Sequence, residues 1–211
     1  MTCRSRLFLA CPLPEGTPRE LEAWAQSNLA PLGVRIVPAD NLHVTLAFFG
    51  DKSSAERDEI AALMSQATWP GLDVATTRVA MSGRSAIAIG LEPSGGEWIR
   101  LRDDLGSPYL SGYELGERSP EQLRADAGRF APWESILAHA PNLWRGRLRW
   151  PPRAFHVTLA RTKRPIVTLP ELAPSLRLSL TEAALYESRT LTTGAEYREL
   201  ARLAKPAREG G

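Results

Sequence analysis

Apolar and polar residues follow two kinds of periodicity along the chain. Two segments, 17–32 and 53–67, place apolar residues three and four positions apart, and each begins with the Ser/Thr-x-x-Glu pattern of a capping box. These patterns predict two amphipathic helices, the first with Pro18 at its first helical position. The segment 195–204 has a helix-like or mixed pattern. Short β-branched or alternating runs predict strands at residues 6–14, 34–37, 41–49, 72–81, 85–91, 154–160, 176–180 and 183–188.

One order of elements occurs twice. A strand at 6–14, a capped helix and the strand at 41–49 are followed by a strand at 86–93, a capped segment at 94–105 and the strand at 154–160. A duplicated fold is the simplest explanation, and it predicts two lobes that face each other across a pseudo-two-fold cleft. The alternative is coincidence, because strand–helix–strand is a common unit. The mixture of strands and helices predicts an α+β protein.

A tetrapeptide that occurs once in each half, at 43–46 and 156–159, carries the clearest chemical signal, and its sequence is His-Val-Thr-Leu. The chain has three histidines, and two of them open these copies. Because side chains alternate along a strand, each His and Thr share one face and stand about 6.6 Å apart, a span suited to one phosphate-sized group. A single strand histidine is usually structural, but two identical copies indicate a shared functional cause. The third histidine, His139, lacks a following Thr, and we predict a structural or surface position for it.

Composition narrows the class of protein. The chain has 211 residues and a formal net charge of +2, a size that fits one large domain or two joined lobes. The charge is too small to indicate nucleic-acid binding by itself, and the longest apolar runs are too short to span a membrane. Cys3 and Cys11 lie on one extended segment and cannot easily bridge, and no metal-ligand spacing occurs. We therefore expect a cytoplasmic protein without a membrane partner.

The domain organisation follows from the repeat. We predict a single domain of two lobes over residues 1–205, with an insertion at about 106–152, and a flexible tail over 206–211. The insertion contains three tryptophans and several prolines and glycines, and it does not fit the repeat. One interpretation is a surface excursion that packs its own tryptophans. The other is a lid or a substrate-selecting wall over the cleft.

Two histidines suit the opening of a cyclic phosphodiester. Histidine titrates near neutral pH, so one imidazole can be neutral while the other is protonated. The neutral ring takes a proton from the attacking water, and the imidazolium gives one to the departing ribose oxygen. Thr45 and Thr158 can donate hydrogen bonds to the non-bridging phosphate oxygens. The residues alone do not order the two histidine roles. We expect no metal and no other cofactor, since protons and cationic donors supply what a metal would.

The tetrapeptides and their surroundings resemble the two-histidine phosphoesterases, and within them the RNA 2′,3′-cyclic phosphodiesterases, also called 2′-5′ RNA ligases. The likeness covers most of residues 4–105 and 153–203, and it is carried by the segments 6–14, 37–50, 156–161, 185–188 and 194–197. It implies a two-lobed, pseudo-symmetric fold in which antiparallel sheets line a central cleft, with the helices outside. It also implies that His43 is the proton donor and His156 the proton acceptor. The implied partners are RNA or nucleotide 2′,3′-cyclic phosphate ends, and we expect a monomer.

Arg161 and the nearby phenylalanines are candidate substrate contacts. Arg161 lies three residues after the second threonine, outside strict same-face alternation, so we expect its long side chain to reach round the strand end to the phosphate. We interpret Phe48 and one of its neighbours as core residues, which leaves Phe8 and Phe155 as the predicted substrate-binding aromatics. The phenylalanines near the tetrapeptides that could stack on a base are Phe8, Phe48, Phe49 and Phe155.

Two other functions would use the same residues. The first is a phosphodiesterase for another cyclic phosphate or for a 2′-5′ oligonucleotide, with the insertion setting the choice. The second is a non-catalytic module that binds RNA ends, which the intact histidines and threonines disfavour. Hydrolysis of a nucleoside 2′,3′-cyclic phosphate without added metal separates an enzyme from a binding module.

Overall fold

The computed structural model describes residues 4–69, 71–93, 135–136, 139, 155–164, 166, 168–191 and 194–204. Two α-helices occur in this part of the chain, α1 (Thr17–Asn28) and α2 (Ser54–Met64), with short 3₁₀ helices at Ala30–Leu32 and Ala39–Asn41. The strands are β1 (Ser5–Pro12), β2 (Arg35–Ile36), β3 (His43–Lys52), β4 (Leu72–Ser82), β5 (Ala86–Pro93), β6 (Phe155–Arg161), β7 (Arg177–Leu180), β8 (Glu182–Leu191) and β9 (Gly194–Ala204).

The strands form one antiparallel sheet in the order β7-β4-β5-β6-β3-β1-β8-β9, and β2 pairs with the last residues of β6. The two strands that carry the tetrapeptides, β3 and β6, pair with each other at the middle of the sheet. Their outer neighbours are β1 and β5, the strands that open the two predicted halves. The predicted α+β, antiparallel, two-halved fold is confirmed, although the halves share one continuous sheet. The helix predicted at 94–105 lies outside the described residues.

The core lies against one face of the sheet and holds it to the helices. Leu7, Leu9, Val44 and Val157 on the central strands are fully buried, as are the inward residues of α1 and α2. Burying such an aliphatic side chain contributes about 1.5–3 kcal/mol, so this face fixes the positions of the central strands. The opposite face of β3 and β6 is left for polar residues.

The two helices begin in different ways. The Ser53 hydroxyl accepts a hydrogen bond from the Glu56 backbone N–H, and the Glu56 carboxylate accepts one from the Ser53 backbone, which confirms the predicted capping box of α2. The same prediction for α1 is wrong. Its N-cap is Gly16, with φ at 83°, and no side chain makes a capping hydrogen bond. Thr17 is already a helical residue, and it is buried.

The segment with the mixed pattern, 195–204, belongs to β9 and not to a helix. It pairs with β8 along its whole length, from Glu182 opposite Ala204 to Leu191 opposite Gly194. Ala, Glu, Arg and Leu favour helices in isolation, but the ladder to β8 overrides this weak preference. β9 therefore extends the sheet and pairs with the edge of β8, which a helix would have left without a partner strand.

Three residues of the predicted insertion are described, and two of them, Ile136 and His139, contact the main body of the protein. Ile136 is fully buried within the same hydrophobic core as the sheet. His139 is half-buried, with its Nε2 3.9 Å from the Glu59 carboxylate on α2, so the predicted structural position is confirmed. Ile136 thus belongs to the main core, while the two interpretations of the insertion stay predictions. The rest of 106–152 and the predicted tail at 206–211 lie outside the described residues.

No helix in the described part of the chain is long and apolar enough to cross a membrane.

Candidate active site

The two tetrapeptides form one site because β3 and β6 are adjacent and antiparallel. Val44 lies opposite Val157 in the ladder. By this register His43 faces Thr158 across the strands, and Thr45 faces His156. Opposed residues of antiparallel strands have Cβ atoms about 4.5–5.5 Å apart, so the four polar side chains form a compact square on one face of the sheet. All four are half-buried, while the two valines between them are anchored in the core.

A β-bulge in β6 places Arg161 on the same face. Thr158 lies opposite Ala88 of β5, but Ala160 lies opposite Ile87, so Leu159 is an extra residue in its strand. One extra residue reverses the alternation that follows it. Arg161 therefore returns to the face of the histidines and threonines without reaching round the strand end, which corrects the expected route but keeps the expected destination.

The matching bulge in β3 places Phe48 on this face. Ala10 of β1 lies opposite Thr45, and Leu9 lies opposite Ala47, so Leu46 is the extra residue. Phe48 is 62% exposed, whereas Phe49 is 1% exposed and belongs to the core. The prediction that Phe48 is a core residue is wrong, and the prediction for one of its neighbours holds for Phe49. Phe48 and Arg161 occupy equivalent positions, five residues after their histidines.

Opposite the second tetrapeptide and Arg161, the neighbouring strand β5 places only small residues on the site face. In β5, Gly90, Ala88 and Ala86 lie opposite His156, Thr158 and Arg161 respectively. A Cβ atom on Gly90 would lie 2.5 Å from Oγ1 of Thr77, so any other residue here would require the Thr77 side chain to move. The small side chains leave room above the sheet for a substrate beside the second tetrapeptide.

The ring of His43 is fixed by two hydrogen bonds. Its Nδ1 lies 2.9 Å from the Asn41 carbonyl oxygen, and its Nε2 lies 3.1 Å from Oγ1 of Thr45. Since a carbonyl only accepts, Nδ1 carries the hydrogen, and Nε2 of the neutral ring accepts from the Thr45 hydroxyl. Asn41 is itself held by its side-chain amide, which donates to the Ala195 carbonyl of β9 at 2.9 Å. The loop before β3 thus sets which nitrogen of His43 faces the cleft.

Burial lowers the pKa of His43 to about 4, and the hydrogen bond to Asn41 acts in the opposite direction. The positive charges of Arg161 and His156 lower this pKa further, so both groups lie within electrostatic reach of the ring. His43 is therefore neutral at pH 7 before an anion binds. The donor role that the resemblance implies for His43 requires the negative charge of a bound phosphodiester to raise this pKa.

Aromatic rings support His43 on the β1 side of the site. The centroid of Phe8 lies 5.0 Å from that of His43, and Tyr197 of β9 meets the His43 ring edge-on at 5.3 Å. Phe8 is 3% exposed, so it packs beneath the histidine and offers no free face to a base. Phe155 is 1% exposed, on the core face opposite to that of His156. The prediction that Phe8 and Phe155 contact a base is therefore wrong.

Three residues of the site were not predicted from the sequence. Phe48 was assigned to the wrong face, because the bulge at Leu46 is not visible in the sequence. Tyr197 reaches His43 only through the ladder of β9, whose segment has a mixed pattern. Asn41 lies two residues before His43 in a short 3₁₀ helix, whereas the sequence pattern placed it in the predicted strand at 41–49.

Within the described residues, no group of three or more His, Cys, Asp or Glu side chains is arranged to hold a metal ion.

Comparison with known proteins agrees with this geometry. The LigT like Phosphoesterase family matches residues 12–83 of the chain. The chain is 26% identical to the RNA 2′,3′-cyclic phosphodiesterase of Escherichia coli (strain K12) over 207 residues, which cover 94% of this chain and 96% of that protein.

Solved structures show the same fold. The E. coli LigT complexed with 3′-AMP matches with a TM-score of 0.65 at 23% identity, covering 97% of this chain and 100% of that chain. The protein TT0787 of Thermus thermophilus matches with a TM-score of 0.62 at 22% identity, covering 94% of this chain and 97% of that chain. With the paired His-x-Thr strands at the centre of its antiparallel sheet, the chain resembles the LigT-like phosphoesterases, in sequence over residues 12–83 and in fold.

Proposed function

We propose that this protein is an RNA 2′,3′-cyclic phosphodiesterase, which hydrolyses 2′,3′-cyclic phosphate ends to 2′-phosphates by acid–base catalysis between two histidines. The observation that carries the proposal is the square of His43, Thr45, His156 and Thr158 around the Val44–Val157 pair. The name of the E. coli relative supports this substrate class for the chain.

The reaction needs one proton acceptor and one proton donor on opposite sides of the phosphorus. His156 takes a proton from water as the water oxygen bonds to phosphorus. The bond from phosphorus to the ribose 3′ oxygen breaks, and His43 gives its proton to that oxygen, which leaves a 2′-phosphate. Each proton transfer of this kind contributes about 10²–10⁴-fold to the rate. With a ribose 5′-hydroxyl in place of water, the same steps in the same direction give a 2′-5′ linkage. Their reverse, in which the 3′-hydroxyl attacks the phosphorus of that linkage and the 5′ oxygen leaves, exchanges the histidine roles.

The other polar groups of the site stabilise the negative charge on the phosphate oxygens. The hydroxyls of Thr45 and Thr158 donate to the non-bridging phosphate oxygens, on which negative charge builds up in the transition state. The Arg161 guanidinium offsets the phosphate charge and fits two of its oxygens at once. The Thr45 hydroxyl meets the His43 ring in this structure, so it turns from Nε2 to the substrate when the ring becomes protonated.

Hydrolysis is expected to proceed in EDTA. A nucleoside 2′,3′-cyclic phosphate should be converted to its 2′-phosphate at an unchanged rate when the chelator is added, because the proposed steps use only side chains. Chromatography that resolves the 2′- and 3′-phosphates measures both rate and product. Loss of activity in EDTA with recovery on adding a divalent ion would contradict the mechanism. Binding of the cyclic nucleotide without turnover would make the protein an RNA-end binding module instead.

Phe48 is the aromatic residue that we assign to the base. Its ring is exposed on the site face, and its centroid lies 6.0 Å from that of the buried Phe8. Stacking on an aromatic ring contributes about 1–3 kcal/mol per base. Phe48→Ala should therefore raise the KM for a cyclic purine nucleotide roughly tenfold or more and change kcat little. Leu172→Ala, which removes another exposed apolar side chain, is the control. An unchanged KM in Phe48→Ala would remove this residue from the site.

A further inference from the structure

Two arginines lie directly opposite each other at the end of the site. Arg35 of β2 pairs with Arg161 of β6 in the antiparallel ladder, so the two side chains leave the same face of the sheet. The bulge before Arg161 makes this the face of the catalytic histidines. Like charges in opposed positions of a ladder are destabilising, so the presence of two opposed arginines here suggests a functional role.

Neither of the two guanidiniums is neutralised by a residue that the structure describes. Both arginines are exposed, and within the described part of the chain neither makes an ion pair or a hydrogen bond. Two exposed arginines of β9 are paired instead. Arg198 pairs with Glu187 at 2.8 Å, and Arg202 pairs with both Glu182 and Glu199. Two adjacent cations of this kind beside a cleft attract an anion.

The two arginines lie on different strands. Arg161 belongs to β6, the strand that carries His156 and Thr158, whereas Arg35 belongs to the separate short strand β2. Burial raises the pKa of Tyr197, and the charges of Arg161 and Arg35 both act against that rise, so both guanidiniums act on the side of the site where Tyr197 contacts the His43 ring. Arg35 thus extends the positive charge of the site beyond the two strands that hold the histidines and threonines.

We propose that Arg35 is a second phosphate-binding residue, which holds the phosphodiester on the 5′ side of the terminal nucleotide while Arg161 faces the cyclic phosphate. A guanidinium matches a phosphodiester in charge and in the spacing of its donors. A free cyclic mononucleotide lacks this phosphodiester, whereas every RNA end carries it. This inference rests on the proposed function, and it makes RNA ends, and not free cyclic nucleotides, the preferred substrate class.

The test compares two dinucleotides that end in the same 2′,3′-cyclic phosphate. In one the internal linkage is a normal phosphodiester, and in the other it is an uncharged methylphosphonate. We expect the wild-type protein to favour the charged linkage in kcat/KM by about tenfold, the scale of one hydrogen bond to a charged group. Arg35→Gln should lose this preference, and the cyclic mononucleotide serves as the reference substrate.

Arg177→Gln is the matched control. It removes the same charge from an exposed position on β7, at the far edge of the sheet, and it should keep the tenfold preference. Thermal melting of both variants checks that the fold is retained. An unchanged preference in Arg35→Gln, or an equal loss on all three substrates, would overturn the proposal, since the second result would place Arg35 on the cyclic phosphate.

Failure of the proposed function gives a different result. If the wild-type protein hydrolyses none of the three substrates, the proposed activity is wrong, and calorimetric titration with the two dinucleotides still tests Arg35. Tighter binding of the charged dinucleotide that disappears in Arg35→Gln would support the second phosphate site on its own. Equal binding of both dinucleotides by the wild-type protein would overturn it.

Discussion

His43→Ala and His156→Ala are each expected to lose nearly all turnover of a 2′,3′-cyclic phosphate. Each change removes one of the two proton transfers, and each transfer is worth about 10²–10⁴-fold. The double variant should be little worse than the slower single variant, because residues that act as one unit have non-additive effects. The measurement is kcat for a cyclic mononucleotide, with the released 2′-phosphate as the product.

The third histidine provides the matched control. His139 lies beside Glu59 of α2, away from the paired tetrapeptides, so His139→Ala should keep wild-type kcat. His43 also packs against Phe8 and Tyr197, and His43→Ala therefore loses some packing. A melting curve separates this loss from the loss of chemistry. A folded His43→Ala, His156→Ala double variant with wild-type kcat would place the reaction elsewhere in the molecule.

The pH dependence gives an independent check on the role of His43. Its pKa of about 4 lies below the ordinary value for histidine, so the ring stays neutral down to moderately acidic pH. An anion favours the protonated ring, and a bound 2′-nucleotide should therefore raise this pKa. NMR titration of the His43 ring with and without the nucleotide measures the change. A pKa that stays near 4 with the nucleotide bound would contradict the assignment of His43 as proton donor.

The second large effect is expected at the threonines. Thr45→Val and Thr158→Val keep the β-branched shape that suits a strand and remove only the hydroxyl. Losing one donor to the transition-state oxygen should raise the barrier by about 2.7–4 kcal/mol, which is about 10²–10³-fold in kcat. Thr45→Val also removes the partner of Nε2 of His43, so we expect the larger effect at that position.

Serine is the matched control at both positions. Thr45→Ser and Thr158→Ser retain the hydroxyl and should keep most of kcat, although serine fits a strand less well than threonine. Comparing Ser with Val at one position separates the hydroxyl from the packing of the side chain. Equal kcat in the Val and Ser variants would show that the hydroxyls do not contact the reacting phosphate.

The sequence was sufficient to predict those features of the structure that neighbouring residues in the chain determine. The repeated His-Val-Thr-Leu, the capping box of α2 and the strands on either side of Gly83 could all be predicted from neighbouring residues. The repeat predicted that the two tetrapeptides face each other, and the structure brings them together by pairing β3 with β6 in one sheet. These features set the central square of the site.

The errors at Phe48 and Arg161 have one common cause, which is that partner strands determine the orientation of side chains. Residues 46 and 159 each add a position relative to the neighbouring strand, and neither bulge has a local signal such as glycine. Strict alternation would consequently place Phe48 on the core face. It would also place Arg161 on the face away from the site, from which its side chain would have to reach round the strand end. Phe155 was judged by its closeness to His156 in sequence, although neighbours in a strand point to opposite faces. Arg35 could not be found at all, since its partner in the ladder is Arg161, far along the chain.

The position of β1 has a consequence for the order in which the molecule can assemble. β1 is made first, but it lies between β3 and β8, and its second ladder joins Arg6 to Ser188. The Ser5 hydroxyl donates to the Glu187 carboxylate, a contact between residues 182 positions apart. Such distant contacts slow folding because the intervening loop must close first. While the chain is being synthesised, β1 and β3 can pair early, but the outer edge of β1 stays open until β8 has emerged. An open edge can pair with another chain, so the nascent protein is most exposed to misassembly just before its last two strands arrive.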